Sequence, residues 1–261
     1  MSSVCASHLR RLFFVARVAR PDLQTAIVTL AKHIKKWKCR HDRCLQRLFS
    51  YIHGSLGLKL TGSMPVGLAK YVRLSIWPGA DLAGDKWSSR ATGGFRVELE
   101  CGEHRWPLAW QSKRQTSTAI STAESETICL QRCLHKEGLP LQEALSKMLA
   151  VDLPLHAWED NSQCISAVTN GYSPNLRHLA RVQRTCIGAL HEAFYPTVEE
   201  DVLTGEIDEQ PFLHCSIAHC PSAEHKGDLF TKPLGKVKFH KFTSLFMSKR
   251  NPTTVIGVKP G

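Results

Sequence analysis

The chain has no long apolar run. Nowhere among its 261 residues do apolar side chains continue for the ~20 positions that a bilayer-crossing helix needs, so no membrane role is expected. The nearest stretch, LFFVARV at 12–18, is short, is broken by Arg17 and lacks a small-residue cleavage site, which argues against a signal peptide. Also missing are an N-x-[ST] site without proline, the P-loop pattern of glycine and lysine, H-E-x-x-H and G-x-S-x-G, and the enzyme classes built on those motifs lose their support. Acidic residues are scarce. Asp and Glu number 23 against 34 Lys and Arg, for a net charge of +11 and a pI near 9.3, and that imbalance points toward a polyanionic partner such as nucleic acid.

What is present suits a globular chain: hydrophobic residues make up 43% of it, enough for one large domain or two small ones. The ten cysteines are scattered through apolar patterns and do not frame short loops. They read as reduced thiols of an intracellular protein, cytoplasmic or nuclear.

Hydrophobic spacing divides the chain. RPDLQTAIVTLAKHIKKW at 20–37 sets Leu23, Ile27, Leu30 and Ile34 on one helical face, and HDRCLQRLFSYIHG at 41–54 repeats the pattern until Gly54. The basic cluster from Lys32 to Arg43 between them reads as a solvated connector before it reads as a phosphate contact. The period then changes to two. YVRLSIW at 71–77, GFRVELE at 94–100 and RWPLAW at 105–110 predict an antiparallel meander. A helix follows from Ser121 or Thr122, a short one at 140–150, a strand at 153–158 and a helix near Ser162. After them come a long helix over 175–194, a strand at 212–219 and a helix around Pro221.

Four of these elements each supply one carboxylate. Asp81 follows the first strand of the meander, Glu126 lies early on the next helix, Asp160 ends a later strand, and Asp228 lies on the last helix. Carboxylates brought close together repel and raise one another's pKa unless a divalent cation joins them. A pair of Mg²⁺ ions in such a nest can drive in-line displacement at a phosphodiester. Taken singly, each residue has a plainer reading: a turn former, an N-terminal helix charge, a cap beside Asn161, a surface acid.

Beyond these patterns, DLAGDKWSSRATGGF, LAWQSKRQTSTAISTAESETICL, HAWEDNSQCI and KGDLFTKPLGKVKF resemble, in order and at comparable spacing, the ribonuclease H domain of Copia-type retrotransposon Pol polyproteins. LFFVARVARPDLQTAIVTLAKHI and CLQRLFSYIHGSLGLKL resemble the end of the reverse transcriptase in the same polyprotein. The resemblance implies a mixed α/β, ribonuclease H-like fold: a five-stranded mixed sheet, its first three strands antiparallel, with flanking helices and a helical segment in front. It divides the chain into a reverse transcriptase remnant over 1–65, the ribonuclease H-like domain over 66–250 and a flexible basic tail over 251–261. It implies Mg²⁺- or Mn²⁺-dependent hydrolysis of the RNA strand of RNA/DNA hybrids, with no small-molecule cofactor. Glu126 matches the second glutamate of the family's TEAEY-like block, Asp160 the aspartate of its DN pair, and Asp228 the aspartate of its ADIFTK-like block.

At the first position the chain departs from its family. DADWAG is usual there, but GADLAG puts Gly79 where the first aspartate belongs and leaves only Asp81, so either Asp81 takes over as ligand through a small backbone shift or the site binds metal poorly. The alternative is a relic that binds nucleic acid without cleaving it. Ala180 replaces the aspartate of a KHID-like block, outside the metal site. The polymerase signature Y-x-D-D is absent, so reverse transcription is not expected.

Two further features carry weaker signals. HCSIAHC at 214–220 has the composition of a zinc string, but on a strand its neighbours point to opposite faces and cannot converge on one ion. Helical spacing aligns Arg177, Arg181 and Arg184 as a stripe able to follow phosphates, and Asn161 joins them as a nucleic-acid contact. Trp87, Trp106 and Trp110 read first as packing and second as stacking surfaces.

Overall fold

A computed structural model describes residues 2–65, 67, 69–84, 89–196 and 214–249. Trp87 and the tail expected over 251–261 lie outside the described residues. The chain forms two units, one made of 1–61 with 237–261 and the other of 62–236. The described residues 237–249 group with the N-terminal unit.

In chain order, the first unit contributes α1 (Ser2–Val18), α2 (Gln24–Ala31), α3 (Cys39–Gly54) and the short strand β1 (Leu58–Leu60). The second holds β2 (Arg73–Asp81), β3 (Thr92–Cys101), β4 (His104–Arg114), α4 (Thr122–Cys133), α5 (Leu139–Leu149), β5 (Leu155–Glu159), α6 (Ser162–Thr169), α7 (Leu179–Val182), α8 (Ile187–Phe194) and β6 (Cys215–His219). The chain then completes the first unit with α9 (Lys236–Ser244) and β7 (Met247–Lys249), and β7 pairs antiparallel with β1. α1, inside the segment expected to be helical, closes a small core of Leu9, Ala16, Leu23, Ile27, Leu30, Leu45 and Leu48, whereas the β1–β7 pair was not expected from the sequence. Among the described residues no helix is long and apolar enough to cross a membrane.

The sheet of the second unit has the strand order β4-β3-β2-β5-β6. β2, β3 and β4 are antiparallel, whereas β5 runs parallel to β2 and β6 parallel to β5. This is the ribonuclease H-like, mixed five-stranded sheet with flanking helices that the resemblance implies. Period-two alternation explains one face: Leu74, Ile76, Phe95, Val97, Leu155 and Ala157 all turn inward and meet Leu130 and Cys133 of α4.

The opposite face carries charge, and it is buried as well. Ser75, Arg96, Glu98 and Glu100 project from it and are at most 3% exposed, because the 3₁₀ turn Lys226–Phe230 packs over them. Lys226 Nζ donates to Glu98 Oε1 and Glu100 Oε1, each at 2.7 Å, and Arg96 pairs with Glu98. Burial opposes ionisation of Glu100, but Lys226, Ser75 and Arg105 outweigh it and hold the carboxyl down at about 2.

Two helix expectations are corrected. The long helix over 175–194 is instead the 3₁₀ turn Pro174–Leu176, the four residues of α7, and α8. Between α7 and α8 the chain turns through Arg184 at φ +53°, in the left-handed region. Gln131 on α4 holds that turn, its Nε2 donating to the Arg184 carbonyl at 3.2 Å and its Oε1 accepting from the Cys186 amide at 2.8 Å. The stripe of three arginines along one helix is therefore not formed. Likewise Asp228 lies on the 3₁₀ turn Lys226–Phe230, not on a helix starting near Pro221.

Candidate metal centre

Local sequence explains how each carboxylate is presented. Ser121 caps α4 by accepting from the Glu124 amide at 3.1 Å, which starts the helix so that Glu126 falls in its second turn. The Asn161 side chain accepts from the amides of Gln163 and Cys164, both at 3.0 Å, ending β5 and starting α6 immediately after Asp160. The oxygen of Asn161, expected to touch nucleic acid, is thus engaged in capping.

Convergence comes from the strand order, since the parallel pairing of β2 with β5 brings their C-terminal ends together. Ligand-type atoms of Glu126, Glu159 and Asp160 lie within 4.8 Å of one another, and so do those of Asp160, His225 and Asp228. Asp160 belongs to both groups. Three of the four expected carboxylates are therefore brought together. Asp81 is in neither group: its carboxylate folds over Gly84, where an added Cβ would collide with it. Asp81 still acts at a distance on Lys232. Burial works against that ammonium, yet Asp228, Asp160 and Asp81 raise its pKa, and it pairs with Asp228 Oδ1 at 2.9 Å.

The sequence singled out neither Glu159 nor His225. Glu159 had a legible signal, because it continues the inward parity of Leu155 and Ala157 along β5. It is fully buried, and burial together with the Asp160 charge pushes its carboxyl up to about 8. Burial and then Glu159 likewise push Glu126 well above the carboxylate range, against a stabilising hydrogen bond from the Ala80 amide. For His225 no local pattern exists.

The donor set fits a divalent cation. Oε2 of Glu126, Oε2 of Glu159 and Nδ1 of His225 are buried without a hydrogen-bond partner. Three acceptors turned into one protein interior have a marked desolvation cost, which a bound cation would offset.

A second feature lies beside the α7–α8 turn. A cavity of about 340 Å³ is lined by Lys113, Arg132, His135, Lys136 and Arg184 together with Gln and Thr side chains, and none of its lining residues is acidic. Arg132 lowers the pKa of Lys113, with burial and Lys136 adding to the effect, so the positive charges are crowded. Arg177 and Arg181 are exposed but do not line this cavity.

No family model matches the chain. Among known proteins it is 32% identical over 121 residues to the secreted RxLR effector protein 161 of Plasmopara viticola, covering 46% of this chain and 78% of that protein. It is 26% identical over 236 residues to the retrovirus-related Pol polyprotein from transposon TNT 1-94 of Nicotiana tabacum, covering 90% of this chain but only 15% of the polyprotein. Of solved structures, the LC11 ribonuclease H1 isolated from compost aligns over 62% of this chain and 93% of its own, at 16% identity and a TM-score of 0.35. At that score the fold rests on the strand order and connections described above.

Proposed function

The chain belongs to the family of Copia-type retrotransposon Pol polyproteins and their relatives; from that premise we propose that its second unit is a ribonuclease H-like hydrolase of the RNA strand in RNA/DNA hybrids, slowed by the loss of a carboxylate at Gly79. Glu126, Asp160 and Asp228 would hold Mg²⁺ or Mn²⁺, with Asp81 at the strand end beside them. Bound ions supply activation of water and stabilisation of the leaving oxygen in an in-line displacement at phosphorus.

The observation that carries this reading is the shared position of Asp160, within ligand range of Glu126 on one side and Asp228 on the other. The chain's own groups would do the rest. Arg184, Lys113, Arg132 and Lys136 would attract and orient the hybrid backbone, and the exposed Arg177 and Arg181 would add positive charge to the surface.

The test is cleavage of an end-labelled RNA/DNA hybrid by the purified chain in Mg²⁺ or Mn²⁺. Hybrid cleavage leaving a 3′ hydroxyl, abolished by Asp160→Asn, is the expected result. A second reading is favoured by the fold of Asp81 over Gly84: a non-catalytic relic that binds hybrid through its basic surface. Binding without cleavage in either metal would establish that reading and overturn the first.

A further inference from the structure

His225 stands one residue ahead of the KGDLFTK block and is completely buried. Its Nε2 lies 3.0 Å from the carbonyl oxygen of Trp158. A carbonyl can only accept, so Nε2 carries the hydrogen and Nδ1 is left as a lone pair. Nδ1 is buried and has no hydrogen-bond partner. The imidazole borders the space that Gly79 leaves open: a Cβ built there would stand 3.2 Å from His225 Cε1 and 3.6 Å from Nδ1. The ring thus occupies the side of the site that a first-strand carboxylate would face.

We infer that His225 is a metal ligand through Nδ1, forming with Asp160 and Asp228 a nitrogen-and-oxygen subsite that takes a borderline divalent ion, Mn²⁺, Co²⁺ or Zn²⁺, in preference to Mg²⁺. The inference rests on the proposed function only in taking Asp160 and Asp228 as ligands. Mg²⁺ selects oxygen donors and retains its waters, whereas an imidazole lone pair suits the later first-row metals. A ligating histidine characteristically gives its other N–H to a backbone carbonyl or carboxylate, and Trp158 provides such a carbonyl here. Two neighbours complete the surroundings. Ser222 donates to Asp160 Oδ2 at 2.7 Å and orients that carboxylate. Lys232 balances the charge of Asp228, and with its side chain 39% exposed it has a path to solvent when a cation arrives.

The test uses the full chain and reads metal binding, not turnover. Mn²⁺-loaded protein is examined by electron spin-echo modulation for coupling to ¹⁴N, and Co²⁺ is titrated by its visible absorption with Mg²⁺ as competitor. The expected results are ¹⁴N coupling in the unaltered chain and a fall of 10- to 100-fold in Co²⁺ affinity for His225→Gln. Mg²⁺ affinity should stay within about twofold, since the oxygens remain. Asp160→Asn should weaken both metals. Absence of ¹⁴N coupling, or unchanged Co²⁺ affinity in His225→Gln, overturns the inference. Should that variant fail to fold, the spectrum of the unaltered chain decides alone. Nitrogen coupling without hybrid cleavage would sink the nuclease reading and leave this one standing; Mg²⁺-dependent cleavage without nitrogen coupling would do the reverse.

Discussion

The carbonyl oxygen of Phe230 lies over Gly94, 2.5 Å from the point where a Cβ would stand. That close approach lets the 3₁₀ turn Lys226–Phe230 settle on the sheet, and the same turn carries Asp228 and follows directly on His225. Gly94→Ala pushes against backbone, which has no rotamer by which to escape. The expected outcome is a loss of about 1–3 kcal/mol in urea unfolding, together with weaker divalent-metal binding in calorimetry. Unchanged metal affinity would show that the turn and the site are not linked in this way.

Gly79→Asp supplies the missing carboxylate. The atoms nearest to its Cβ belong to the His225 ring at 3.2 Å and the Thr231 methyl at 3.5 Å, so a displacement of a few tenths of an ångström accommodates that Cβ. Mg²⁺-dependent hybrid cleavage should rise by at least about tenfold, the scale on which metal-site ligation changes activity. Without metal the variant should melt lower than the unaltered chain, because another anion joins Asp160 and Asp228. Paired initial rates and thermal melts with and without Mg²⁺ check both statements.

Lys226 is the cation that bridges Glu98 and Glu100 on the charged face of the sheet, where Arg96 and Arg105 also pair with them. Lys226→Met removes it while Glu98 and Glu100 stay buried, and the expected cost is about 3–5 kcal/mol in chemical denaturation. A change under 1 kcal/mol would mean that the network is solvated.

Acid should weaken the same network. The Glu100 carboxyl is held at about 2, below its ordinary value of 4.5, so the folded state favours the ionised form. That contribution, about 3 kcal/mol, is fully present above the unfolded pKa and disappears as pH falls from about 4.5 toward 2. Denaturation midpoints across that range should fall in the unaltered chain and fall less in Glu100→Gln, which starts lower.

Hybrid binding should depend strongly on salt. Lys113→Ala and Arg132→Ala should each lower the slope of log affinity against log salt by about 1 if each meets a phosphate. Arg177→Ala, outside the cavity, should change the slope less. Equal slopes in all three variants would remove the cavity from the binding surface. Fluorescence anisotropy at several salt concentrations is the measurement.

Much of the scaffold was legible because its signals are local. The cap at Ser121, the alternation in GFRVELE and the turn into α6 after Asp160 each depend on residues within a few positions. Alternation alone, however, did not show that Arg96, Glu98 and Glu100 are covered, since the cover comes from residues 226–230. The arginine stripe failed for a related reason: spacing suited a helix, but Gln131, about fifty positions away, holds Arg184 in a left-handed turn.

By itself the sequence determined the periods of its strands and helices, the family it resembles and the identity of three convergent acids, because periodicity and motif order are properties of neighbouring residues. Tertiary structure decided that Glu159 and His225 join those acids and that Asp81, its carboxylate against Gly84, stays outside both groups. Burial and convergence depend on which distant segments pack together, and parallel pairing of β2 with β5 beneath the 226–230 turn is a relation that no local pattern encodes.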